Sequence, residues 1–227
     1  MAAHSIDLRL PDSERRLAAG LAETWRDVLY APGPGFRSPL DPGAYRSSFV
    51  IVPAAGPAVR VSSLVTPAFG GELCRLRLEP LDRYRPERFG SFFEPSRVGT
   101  VYAFTPDRSG GAARAPERED WRYAGPPLAG RLGRVRDVRV LRERGCHGAF
   151  SWEADRGMVI TDVDGGACLL LSVADSPDAA LFVPAPGLYR PLADPVAPSA
   201  PGVTARELLG YGDWGDELDL TVELLPL

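Results

Sequence analysis

The chain has 227 residues, 26 of them basic and 30 acidic, giving a formal charge of −4, and 44 % of its residues are hydrophobic. That composition belongs to a folded globular protein and excludes a collagen-like chain, a fully disordered chain and a strongly basic nucleic-acid packaging protein. Gly (24) and Pro (23) are both abundant, so turns cut the chain into short segments.

Every basic residue is Arg; the chain holds no Lys, Asn or Gln. Such usage is what a very GC-rich coding sequence gives, as in high-GC bacteria and large DNA viruses. The absence of Lys excludes Schiff-base chemistry, a phosphate-loop lysine and the strand lysine of a protein kinase. Cationic contacts therefore use the planar, permanently charged guanidinium. The absence of side-chain amides removes the usual bidentate readers of adenine, which argues against sequence-specific DNA binding. Three cysteines, Cys74, Cys146 and Cys168, are too few and too irregularly spaced for a disulfide framework or a structural zinc site. Residues 1–10 carry no apolar run of signal-peptide length, and the longest apolar run, 167–173, is far short of a membrane span. These features lead us to expect a soluble protein of the cytoplasm or another reducing compartment.

In chain order, Ile6, Leu8 and Leu10 alternate with Asp7 and Arg9 and predict an opening strand. Pro11-Asp12-Ser13 reads as a helix start, and Leu17, Leu21, Trp25, Val28 and Leu29 fall on one helical stripe, predicting an amphipathic helix over about 12–30. The period then becomes two. Strands are predicted over 45–52, 58–66, 74–79 and 98–104. Residues 105–118 have no periodicity and read as a mobile surface loop. Strands follow over 134–141, 148–154, 158–163, 167–173 and 179–183, with Asp155-Arg156-Gly157 and Asp164-Gly165-Gly166 as turns. A shift of apolar parity between Val135 and Val138 predicts a β-bulge near Asp137. Residues 184–202 hold six prolines and read as a surface-wrapping segment. Thr204-Ala205-Arg206-Glu207 matches a capping box and predicts a short helix over about 204–209. Leu218, Leu220, Val222 and Leu224 then mark a last strand.

Helices between strands, which a parallel sheet requires, are missing. The expected fold is mainly β, or α+β by strict count: one domain over 1–227, an antiparallel sandwich or partly open barrel with the N-terminal helix packed on it.

Six arginines, Arg131, Arg134, Arg136, Arg139, Arg142 and Arg144, crowd fourteen residues and read either as a charged, protected edge strand or as a strip for an anionic partner. After Arg206 the chain is purely acidic in its charged residues, so this end can meet the strip within one molecule or between two copies. Cys146-His147 is the pair nearest to nucleophile chemistry, although neighbours on a strand point to opposite faces. Asp162 and Asp164, and Asp213 and Asp216 in a Gly-rich turn, are weak candidates for a hard cation and read more simply as turn residues. The four tryptophans, Trp25, Trp121, Trp152 and Trp214, read as core residues. No nucleophile elbow, phosphate-binding glycine loop or zinc-protease helix motif is present.

The function expected first is a non-enzymatic protein-binding or assembly module that uses Arg-rich and Pro-rich surfaces, without cofactor or metal, against another protein or a second copy. An alternative is an enzyme on an anionic small substrate, with an Arg clamp and His147 or an Asp as base. A weaker one is single-stranded nucleic acid stacked on Tyr102, Phe104, Phe150 and Trp152.

Overall fold

Alternating apolar and polar residues assemble into fourteen strands and one helix in a computed structural model that describes residues 4–22, 25–30, 45–53, 55–68, 71–81, 90–91, 95–96, 99–102, 135–163, 167–172, 180–183, 209, 211 and 217–227. In chain order they are β1 (His4–Leu8), α1 (Asp12–Gly20), β2 (Trp25–Tyr30), β3 (Tyr45–Ser47), β4 (Phe49–Pro53), β5 (Ala58–Ala68), β6 (Gly71–Leu81) and β7 (Gly90–Ser91). Next come β8 (Pro95–Ser96), β9 (Gly99–Tyr102), β10 (Val135–His147), β11 (Phe150–Asp162), β12 (Ala167–Ser172), β13 (Ala180–Val183) and β14 (Asp219–Pro226).

One seven-stranded sheet has the order β14-β10-β11-β12-β13-β3, with β1 as its seventh strand paired to β11, and a five-stranded sheet has the order β6-β5-β4-β2-β7; β8 and β9 pair separately. Neither main sheet closes into a barrel. The two share a core built from Phe49, Ile51, Val59, Val61, Leu76 and Leu78 on one side and Val138, Val140, Met158, Ile160 and Leu170 on the other. Ala18 and Leu21 of the α1 region are buried in the same core. The mainly β, two-sheet reading therefore holds.

Pairing is antiparallel except at β1, which runs parallel to the first half of β11. The long strand β11 has β10 along one edge. Its other edge is shared, β1 occupying Phe150–Ala154 and β12 occupying Gly157–Thr161.

Two sequence expectations are corrected. The helix ends at Gly20, not near residue 30, and residues 25–30 form β2. The stripe Leu17, Leu21, Trp25, Val28, Leu29 fits helical spacing, but the last turn tightens onto the Ala18 and Ala19 carbonyls through the Leu21 and Ala22 amides. Beyond it, β2 completes the ladder of β4, a strand with no exposed residue. The helix also starts without a side-chain cap; Pro11 precedes it, and Asp12 and Glu14 lie in its first turn, where acids favour the dipole.

The second correction concerns Asp155-Arg156-Gly157, which is no turn. β11 runs straight through it, and Leu141 pairs with Gly157 while Arg142 pairs with Asp155, leaving Arg156 as the extra residue of a β-bulge. The hairpin turns instead at Gly148-Ala149, where Gly148 has φ +60°, a left-handed conformation that favours glycine. The bulge expected near Asp137 is present, between Val135 and Asp137. The short helix at 204–209, the mobile loop at 105–118, the segment at 184–202 and Trp121 and Trp214 lie outside the described residues.

Candidate functional site

The Arg156 bulge makes the large sheet change character halfway along β10 and β11. Before it, register places Arg142, Arg144, Asp7, Glu153, Asp155 and Glu223 on one face. Beyond it the same face carries Val138, Val140, Met158 and Ile160 into the shared core. The opposite face is apolar on both sides of the bulge: Leu8, Leu141, Trp152, Ala154, Val159, Leu169, Leu171 and Val222 form a second core with Leu209, Tyr211 and Leu218. Where the five-stranded sheet no longer covers it, the first face has to be polar.

That polar face is a ladder of opposite charges. At its buried end Arg142 donates from Nε to Asp155 Oδ1 (2.7 Å) and from Nη2 to Oδ2 (3.1 Å). Asp155, fully buried, also accepts from the Leu10 backbone N–H (2.8 Å), which fixes the chain where β1 leaves the sheet for α1. Its hydrogen bond to Asp155 raises the Arg142 pKa further above its ordinary value, against the opposing effect of burial. Outward, Glu153 lies between Arg142 (3.3 Å) and Arg144 (3.3 Å), and Arg144 reaches Glu223 of β14 (2.7 Å). Next to it Arg9 hydrogen-bonds the Asp7 carboxylate (2.6 Å) and holds its pKa down at about 2. Arg144 is 48 % exposed and Glu223 41 %, so this outer part of the ladder is open to solvent.

Behind the ladder, on the opposite face, sits a buried polar cluster. Trp152 Nε1 and Tyr211 Oη both donate to Glu143 Oε1, each at 2.5 Å. Arg156, placed by the bulge, donates from Nη2 to the Leu209 carbonyl (2.6 Å) and from Nη1 to Tyr211 Oη (3.1 Å), with Nη1 3.6 Å from Glu143 Oε2. Burial favours the neutral form of Arg156, but the surrounding Cys74, Glu143 and Tyr211 raise its pKa and keep it charged. Burial pushes the Tyr211 phenol well above its ordinary range, although the Arg156 charge opposes this. Gly145 faces the Trp152 indole so closely that a Cβ there would overlap the ring. The cluster ties Leu209 and Tyr211 to the sheet.

Of the arginine strip, Arg131 and Arg134 lie outside the described residues. The other four do not share one face. Arg142 and Arg144 belong to the ladder; Arg139 is exposed on the opposite face and pairs with Asp137 (2.6 Å); Arg136 is exposed at the first bulge. The meeting of strip and acidic end occurs within the chain, at Arg144 and Glu223.

Cys146 and His147 end β10. Cys146 is exposed with its Sγ 3.9 Å from the Gly148 carbonyl, and His147 is half-buried beside the turn. On a strand the two point to opposite faces, so the structure does not join them in a dyad. A cavity of about 200 Å³ between α1 and the β4–β5 turn is lined by Arg16, Leu17, Leu21, Pro53, Pro57 and Val59, and neither Cys146 nor His147 lines it. Asp162 ends β11, and Asp164, Asp213 and Asp216 fall outside the described residues, among which no metal-ligand cluster occurs. Of the proposed stacking platform, Trp152 is buried against Glu143 and Phe150 stacks on His4 (ring centroids 5.5 Å apart); Phe104 and the Tyr102 side chain lie outside the described residues.

Glu143, Arg156 and Tyr211 were not singled out by the sequence reading. Asp-Arg-Gly looks like a turn, and Glu143 looks like a surface counter-charge among arginines. Parity gives no signal either, because the bulge at Arg156 sends Trp152 and Ala154 into one core and Met158 and Ile160 into the other. No helix among the described residues is long and apolar enough to cross a membrane. Compared with protein-family models, curated proteins and solved structures, the chain finds no match in any of the three.

Proposed function

We propose that the protein is a protein-binding or assembly module working through the solvent-exposed charge ladder and the exposed arginines of β10. What supports this reading is one observation: Arg144, Glu153 and Glu223 form a half-exposed lattice of alternating charge on a rigid, three-strand platform. Such pairs stabilise the fold little, because water and salt screen them. The same groups suit recognition, since guanidinium forks exchange one carboxylate for another without changing their own geometry. Arg136 and Arg139 add exposed positive charge elsewhere on β10, Arg139 on the opposite face beside Asp137. The net negative charge of the chain points to a protein partner in preference to nucleic acid.

The test is light scattering after size exclusion, at low and high salt, of the wild type and of an Arg136→Glu/Arg139→Glu variant, alone and with material retained from the native lysate. Association that weakens with salt and with charge reversal supports the reading. A monomer that is insensitive to salt and retains nothing overturns it.

A further inference from the structure

We infer that the cavity between α1 and the β4–β5 turn is a binding site for a small apolar carboxylate, a single ring or short branched chain bearing one acid group. None of the residues of the charge ladder lines it, so the site is separate from the assembly surface.

The walls are formed before any ligand arrives. Leu17 and Leu21 stand on the helix side, and Pro53 and Pro57 on the side of the turn. Both prolines fix their own φ, and Gly56, at φ +89°, holds a conformation that favours glycine, so the turn keeps its shape. Gly20 also lines the cavity and has no side chain to fill it; a Cβ there would meet no atom within 4 Å. The floor is Leu21 and Val59, both buried and both members of the core that joins the sheets. An apolar group seated on them leaves water and extends that core.

Size limits the guest. An apolar cavity of about 150 Å³ holds benzene. This one, of about 200 Å³, has room for a ring with one short substituent.

Charge chooses the substituent. Arg16 is the one charged side chain of the lining, and no acid or second side-chain donor accompanies it. It is exposed, and among the described residues its guanidinium has no hydrogen-bonded or ion-paired partner. Arg9, Arg75, Arg139, Arg142 and Arg144, by contrast, each meet a carboxylate of the chain. A permanent planar cation beside an apolar hollow matches a carboxylate with an apolar body and disfavours an amine. A lone fork suits one acid group and leaves a polyanion mostly unmatched.

The test titrates phenylacetate and its neutral isostere phenylacetamide into the full chain, followed by methyl NMR of Leu17, Leu21 and Val59. Phenylacetate should shift these methyls saturably and bind about three- to fivefold more tightly than the amide, the upper range for an exposed ion pair. Arg16→Met keeps an apolar stem and should abolish that preference while both probes still bind. Gly20→Leu projects a side chain into the hollow at a helical position whose φ is not positive. It should remove binding of both probes without lowering the urea midpoint, since Leu is the better helix former. If that variant does lose stability, Arg16→Met decides alone. Absence of shifts, shifts centred on other residues, equal affinity of acid and amide for the wild type, or a preference retained in Arg16→Met overturns the inference. Undiminished binding by a folded Gly20→Leu chain overturns it as well.

Discussion

Glu143 Oε1 accepts two hydrogen bonds at 2.5 Å while Oε2 faces only the Arg156 guanidinium, so a fully buried carboxylate and a fully buried cation depend on each other. Removing one member of such a pair leaves the other charge without compensation, which costs about 3–5 kcal/mol. Arg156→Met is therefore expected to lower unfolding free energy by that order in urea denaturation, and a loss under about 1 kcal/mol would contradict the pairing. On the surface the balance differs. Asp7 titrates at about 2 instead of 3.8 because Arg9 hydrogen-bonds its ionised form. A carboxyl depressed in the folded state stabilises above its unfolded pKa, and that contribution is lost as pH falls from 3.8 through about 2. Carbon-13 NMR of the Asp7 carboxyl should show the low value, and Arg9→Ala should return it towards 3.8, with little effect on stability because both side chains are exposed. An unchanged titration in the variant would mean that another group holds the proton off.

Among elements, the docking of α1 shows how one side chain can protect a sheet edge. β6 is the outer strand of its sheet, and its Leu78 amide donates to Glu14 Oε2 (2.9 Å) while Arg75 grips both Glu14 oxygens (2.7 and 2.8 Å). Glu14→Ala leaves a largely buried guanidinium with only the Leu76 carbonyl (2.7 Å) and no counter-charge, and an edge amide without its acceptor, at a cost of about 2–3 kcal/mol by chemical denaturation. A neutral result would show the helix to be held by Leu17, Ala18 and Leu21 alone. The strands themselves were readable because period two survives wherever one face is buried, as in Leu218–Leu224. The C-terminal half of the expected helix forms a strand because Trp25, Val28 and Leu29 fit the helical stripe and break strict alternation, while pairing with β4, across a bulge between Trp25 and Asp27, decides for the strand. The bulge at Arg156 was hidden for another reason. Its stability comes from Leu10, Arg142, Glu143 and Tyr211, groups distant in sequence, while Asp-Arg-Gly locally favours a turn. The charge ladder was partly legible as an excess of Arg, but its division between two faces needed the register.

At the scale of the molecule, two cores meet across one sheet. The first joins the sheets and depends on β4–β6. The second is closed by Leu209, Tyr211, Leu218 and β14, which are fastened by the Glu143–Arg156–Tyr211 cluster and by the β10–β14 ladder. Free energies of local opening differ across a structure, so a strap fastened this way should open as a unit. The most direct measurement is amide hydrogen exchange of the wild type and Arg156→Met under native conditions. Loosening of β14 together with Leu209 and Tyr211, while β4, β5 and β6 keep most of their protection, is the predicted outcome. Equal loss of protection in both sheets, or a β14 as slow to exchange in the variant as in the wild type, would contradict it.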